Sequence, residues 1–223
     1  MGNCAAEIQN IAKILRKEKL CTDVTPLTNG YKKGECNVAK LKFNIKEKDI
    51  PRNTTPSVSI LDVLLDLAYK ETNNTEIPIS QYCFRITAVG QNQEGVFRSS
   101  WHLDYDNNAG QEYIHPDFHL TWGGDVLRGL NLGAVLLLPT PRISYPPMDI
   151  VLGIDFVLSN FVKVDLYRQI QNDSQYKAAV KNAQEKFWKP YMLSLAHHWC
   201  NNKCLQMQFD TIKAEKFHPT LVN

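Results

Sequence analysis

A chain of 223 residues is long enough to bury a substantial core, in one large domain or two small ones. At 43% apolar and 22% charged it has the composition of a folded globular protein, which excludes wholesale disorder. Net charge is only +2, too little to argue by itself for nucleic acid; residues 1–50 hold ten Lys/Arg against six Asp/Glu, +4, so the remainder sums to −2.

No run reaches the roughly 18 apolar residues of a membrane span. The segment after Met1 is amphipathic and charged, unlike a secretory leader, so a cytosolic protein with no membrane association is expected. "MGNC" resembles an acylation signal, but Ala6 stands where that pattern requires Ser or Thr. The cysteines at 4, 21, 36, 83, 200 and 204 are scattered, which fits reduced thiols, several of them buried, and not a disulfide scaffold.

In chain order, residues 5–20 place Ala5, Ile8, Ile11, Ala12 and Leu15 on one face and predict an amphipathic helix. Period-two alternation over 37–46, with Ala39, Leu41, Phe43 and Ile45 on one side, predicts a strand with one wet face. The stretch "TTPSVSILDVLLDLAYKE" predicts a mostly buried helix, with Thr55 as N-cap, Pro56 at N1, and Asp62 and Asp66 as an i,i+4 stripe. Residues 81–105 read as a β-hairpin around "GQNQEG", and 118–122 as a further strand. The continuous apolar run 134–139, "AVLLLP", predicts a strand buried on both faces.

Four prolines in 139–147 exclude helix and central strand there. Pro147 then suits the N1 position of a second, nearly all-apolar helix, with Asp149 complementing its dipole. Ser174 can cap a helix whose inner face is Tyr176, Ala179, Val180, Ala183 and Phe187, broken or kinked at Pro190 and resumed over 191–200. There is no internal repeat or linker. The expected architecture is one α+β domain over 1–223: an antiparallel sheet of about four or five strands, two buried helices and peripheral amphipathic ones. Residues 1–50 form its basic N-terminal helix and strand, and 174–223 its helical C-terminal region.

Chemistry concentrates in "FRSSWHLDYDNNAGQEYIHPDFHLTWGG". On a strand, Arg98, Ser100, His102 and Asp104 share one face. The following loop brings His115, and the next strand begins with His119, so acid, base and cation can converge at one end of the sheet. Three readings fit. His102, Asp104, His115 and His119 are a chemically sensible zinc or manganese set, although Pro116 forbids the helix on which an H-x3-H pair usually works. Without metal, the histidines with Asp104 and Arg98 can move protons and stabilise a phosphorane-like state. In the third reading His115 and His119 simply hold the loop through backbone hydrogen bonds.

His197, His198, Cys200 and Cys204 form a second constellation, matching no strong metal motif. Arg142, in a rigid Pro-rich turn, can bind a carboxylate or phosphate at the following helix N-terminus, or tie the turn together. No GxGxxG, P-loop, G-x-S-x-G, HExxH or CxxC is present, so nucleotide kinases, Rossmann dehydrogenases, α/β-hydrolases and zincins lose their usual support.

The hairpin ending in "HLDYD", followed by "IHPDFHLTWGG", resembles uncharacterised bacterial proteins near toxin–antitoxin and anti-phage genes, and the TumE-type toxins in particular, over about residues 82–124. The resemblance implies a bacterial cytosolic protein that works with a protein partner and acts on RNA. The functional expectation is a component of a defence or toxin–antitoxin-like assembly acting by protein–protein interaction. The alternative is a nuclease-like hydrolase, metal-independent or metal-assisted, using Arg98, His102, Asp104, His115 and His119, with Arg142 as a binding residue. No cofactor is expected.

Overall fold

Apolar alternation along successive strands dictates the architecture. The computed structural model describes residues 4–32, 34–73, 78–106, 114–133, 135–138 and 141–200. Seven strands form one open antiparallel sheet whose spatial order is its chain order: β1 (Tyr31–Lys32), β2 (Glu35–Lys46), β3 (Ile60–Glu71), β4 (Ile79–Asn92), β5 (Gly95–Tyr105), β6 (Phe118–Trp122) and β7 (Ile143–Ser144). The α+β class is as expected, while the sheet is larger than four or five strands.

One source of the difference is β3, which the sequence predicts as a helix. Its apolar residues Leu61, Val63, Leu65, Leu67 and Tyr69 are buried at every second position. Asp62 and Asp66 share a face under either period, because four residues is about one helical turn and also two strand repeats. On the open face Asp62 meets Lys42 Nζ at 2.7 Å and accepts from Asn44 Nδ2 at 2.7 Å. Asp66 accepts the backbone N–H of Lys40 at 2.9 Å, where β2 bulges and Lys40 takes φ +53°. That bulge shifts the alternation of β2, so Val38 is buried and Ala39 exposed, contrary to a uniform period of two.

Helices cover one face. They are α1 (Cys4–Lys17), α2 (Thr25–Gly30), α4 (Ile150–Phe161), α5 (Val164–Gln171), α6 (Ser174–Ala183) and α7 (Lys189–Cys200); the short α3 (Asp125–Arg128) lies on the other side, over β5. Gly153 brings α4 onto the sheet, since a Cβ there would lie 3.1 Å from the Phe84 ring. Phe156 meets the Phe84 ring edge-on, with centroids 5.9 Å apart. The cap of α6 is Asp173, one residue before the expected Ser174; its carboxylate accepts from the N–H groups of Gln175 and Tyr176. Residues Gln184–Trp188 bulge into a π-helical turn before α7, so Pro190 falls at the start of a new segment.

The run 134–139 is a correction. Residues 135–138 form no strand, and Val135, Leu136 and Leu138 are 54%, 76% and 51% exposed. The position a buried strand would take beside β6 is held instead by β7, which pairs with His119 and Leu120. No helix among the described residues is long and apolar enough to cross a membrane.

Asp149 caps α4, accepting the Leu152 N–H at 2.9 Å, and is buried. Burial pushes its carboxyl up from 3.8 to about 7, against the pull of the Leu152 N–H and Lys186; Glu71, paired with Lys186 at 2.8 Å, pushes the same way as burial. The folded state therefore holds this proton more tightly than the unfolded chain, and the associated stability is full below pH 3.8 and lost as pH rises through about 7. Asp149→Asn keeps a capping oxygen and removes the ionisation. Thermal melts should show no gain for this variant at pH 4 and a higher Tm than wild type at pH 8. Equal melting temperatures at pH 8 would mean the carboxylate is not strained there.

Candidate functional site

The sheet's uncovered face carries the chemistry. Because pleating alternates side chains, residues in register across strands form rows on that face. One row is Asp66, Arg85, His102 and Thr121; the next is Cys83, Asp104, His119 and Ser144. After β6 the chain turns at Gly123 and Gly124, with φ of +102° and +78°, and crosses back over this face. It encloses a cleft of about 260 Å³ lined by Arg85, His102, Asp104, Thr121, Arg128 and Arg142 among others.

Within the cleft His102 Nε2 lies 3.2 Å from Asp104 Oδ2. A carboxylate there holds the proton on Nε2 and leaves Nδ1 with its lone pair. Gly124 packs beside that nitrogen, and a Cβ at 124 would crowd it, 3.2 Å from both His102 Nδ1 and Cε1. Burial raises the Asp104 carboxyl above its ordinary range, opposed by His102, Arg142 and Arg85.

Behind them His115 and His119 pack edge to face with centroids 4.4 Å apart. His119 is 1% exposed, and its Nδ1 lies 3.0 Å from the Pro116 carbonyl. A carbonyl only accepts, so Nδ1 carries the proton and Nε2 is left to accept from Arg142 Nη1 at 3.0 Å. Burial lowers the His119 pKa from 6.5 to about 4, so the ring is neutral near pH 7. His115 Nε2 also faces Arg142 Nη1 and lies 3.5 Å from Asp106 Oδ2. The two rings thus position the Arg142 guanidinium, and neither lines the cleft.

Of the residues singled out in the sequence, the structure gathers His102, Asp104 and Arg142 in the cleft and sets His115 and His119 behind it. It does not bring Arg98 to them. Arg98 shares their face but stands four residues back along β5, about 13 Å at 3.3 Å per residue, and borders a different groove. Arg142 does not face the N-terminus of α4, which Asp149 occupies. No group of three or more His, Cys, Asp or Glu among the described residues is placed to hold a metal ion, which corrects the His102–Asp104–His115–His119 set. For the C-terminal constellation, Cys204 and the side chains of His197 and Cys200 lie outside the described residues. Cys21 and Cys36 are buried, and Cys83 is exposed at the cleft.

Sequence reasoning missed Arg85, Cys83 and Thr121. The register of the hairpin was the signal that could have found them: a turn of only Gln93 and Glu94 pairs Asn92 with Gly95, and so Arg85 with His102. Thr121 Oγ1 is sealed and makes no hydrogen bond among the described residues. No family model, curated protein or solved structure matches this chain.

His119 has a lower pKa folded than unfolded, so its stabilising contribution is present above pH 6.5 and lost as pH falls toward about 4. In melts across that window wild type should lose stability more steeply than His119→Gln, which does not titrate. Parallel curves would show that the ring protonates without penalty.

Proposed function

We propose that this chain is a metal-independent, nuclease-like enzyme acting on phosphodiesters of single-stranded RNA. One observation carries the reading: an imidazole–carboxylate pair, His102–Asp104, lines the same cleft as Arg142 and Arg85. His102 Nδ1 takes the proton of the attacking hydroxyl as its oxygen bonds to phosphorus. Asp104 stabilises the imidazolium, which returns the proton to the leaving oxygen as its bond to phosphorus breaks. Arg142 and Arg85 supply charge-assisted donors to the phosphoryl oxygens. A cleft of about 260 Å³ has room for a phosphate and its sugar but not for a duplex. Acting on RNA fits the TumE-type resemblance; the cleft itself supports only the phosphodiester chemistry.

His102→Gln and Asp104→Asn should each lower cleavage of an unstructured RNA about 100-fold or more. Arg142→Lys should raise KM. His115→Ala should act through Arg142 alone, with a smaller effect than His102→Gln. Activity should fall on the acid side with a limb above the ordinary carboxylate value of 3.8, because Asp104 must be ionised. Cleavage by wild type that His102→Gln leaves intact would remove the dyad from the mechanism.

A second reading, a cytosolic bacterial subunit of a defence or toxin–antitoxin-like assembly that docks a protein partner, is favoured by exposed apolar side chains. Val135, Leu136, Leu138 and Ile143 lie beyond β6, with Leu138 at the rim of the cleft. A partner seated there would also control access to His102.

A further inference from the structure

Strand β5 has eleven residues, and β6 covers fewer than half of them. Its register pairs Trp101–Tyr105 with Phe118–Trp122, and the chain then leaves the sheet at Gly123, whose N–H donates to the Ser100 carbonyl at 2.8 Å. Nothing in β6 stands opposite residues 95–99.

The direction of the backbone groups there follows from the bonds that exist. The Ser100 carbonyl and the Asp106 N–H both turn toward the β6 side, the latter donating to Asp117 O at 2.9 Å. Backbone groups alternate sides along a strand, so even-numbered residues of β5 point away from β4. Val96 and Arg98 therefore direct N–H and C=O outward, and neither bonds to another strand there among the described residues.

A groove of about 610 Å³ runs along this free edge, and its walls are apolar: Phe97, Trp101 and Phe161 from the helix-covered side, Leu130 and Leu132 from the chain beyond α3. Phe161 stacks edge-on against Trp101, centroids 5.3 Å apart, which fixes one wall. Many of the polar side chains at the groove are already engaged within the chain. Ser99 Oγ accepts from Trp122 Nε1 at 2.9 Å, Thr54 donates to Pro51 O, and Asn160 donates to Phe156 O. Arg98 is exposed and forms no ion pair among the described residues.

We infer that the free half of β5 is a docking edge for an extended segment of a protein partner, about five residues long, apolar at alternate positions and carrying a carboxylate opposite Arg98. The unfilled ladder supplies main-chain affinity, and the walls take the alternate side chains. Arg98 selects the charge and also argues against a second copy as occupant. Antiparallel self-pairing through even-numbered residues near 98 would set the two Arg98 side chains directly opposite or diagonal on one face, where like charges repel. This inference is independent of the cleft, which lies at the other end of β5.

The test pans the full-length protein against a phage-displayed library of random octapeptides and then measures one enriched peptide, fluorescently labelled, by anisotropy. Enriched sequences should alternate apolar residues with at least one Asp or Glu. Arg98→Pro removes the outward N–H without touching the β4 ladder, a position where an edge strand tolerates proline; it should weaken binding at least tenfold. Arg98→Glu, which preserves folding should the proline variant fail, should weaken the acidic peptide similarly and shift enrichment toward Lys and Arg. On binding, hydrogen exchange of the Val96 and Arg98 amides should slow. The inference fails if no sequence is enriched over the starting library, or if the peptide binds both variants within twofold of wild type. It also fails if wild type dimerises and Arg98→Pro makes it a monomer, for the occupant is then a second copy.

Discussion

The guanidinium of Arg142 is held by a histidine that must stay neutral, and the rest of the cleft depends on that contact. His119 is buried on the sheet's open face with its Nδ1 committed to the Pro116 carbonyl, so only a lone pair remains for Arg142. A carboxylate in that place would add a negative charge against the guanidinium; an uncharged imidazole holds the arginine without adding one. Desolvation keeps the ring uncharged, so the burial of His119 is also what preserves the cationic wall of the cleft.

The same sheet geometry explains why chemistry lies on one face and not the other. Helix α4 and its neighbours seal the face bearing Leu67, Phe84 and Leu103, and the pleat sends Arg85, His102 and Asp104 to the opposite side. There residues 123–126 and 128, with Leu138 and Arg142, form a partial roof, and burial at the cleft raises the Asp104 carboxyl. Beyond the roof, β5 continues as a bare edge. One strand thus serves two environments, a polar cleft along one half and an apolar-walled ladder along the other.

Much of this was legible in the residues. The β4–β5 hairpin, β6 and α1 follow from local periodicity, and the grouping of His102 with Asp104 follows from strand alternation alone. The failures have physical causes. Residues 60–71 satisfy both a 3.6 and a 2.0 repeat, and only the flanking strands β2 and β4, pairing along their whole length, decide the matter. The run 135–138 is as apolar as a core strand, yet its place beside β6 is taken by two residues of the proline-rich segment, a competition that composition does not encode. Arg98 reads as a site residue because it shares a face with His102, but distance along a strand separates what a shared face joins.

The His119–Arg142 contact is read most directly from the state of the His119 ring nitrogens at pH 6, by long-range proton–nitrogen NMR correlations assigned with His119→Gln. The Arg142 contact requires a neutral ring protonated at Nδ1 with a bare Nε2, and a bare Nε2 signal that shifts when Arg142 is replaced by Ala. A ring doubly protonated at pH 6, or one with its proton on Nε2, could not accept from the guanidinium and would contradict it.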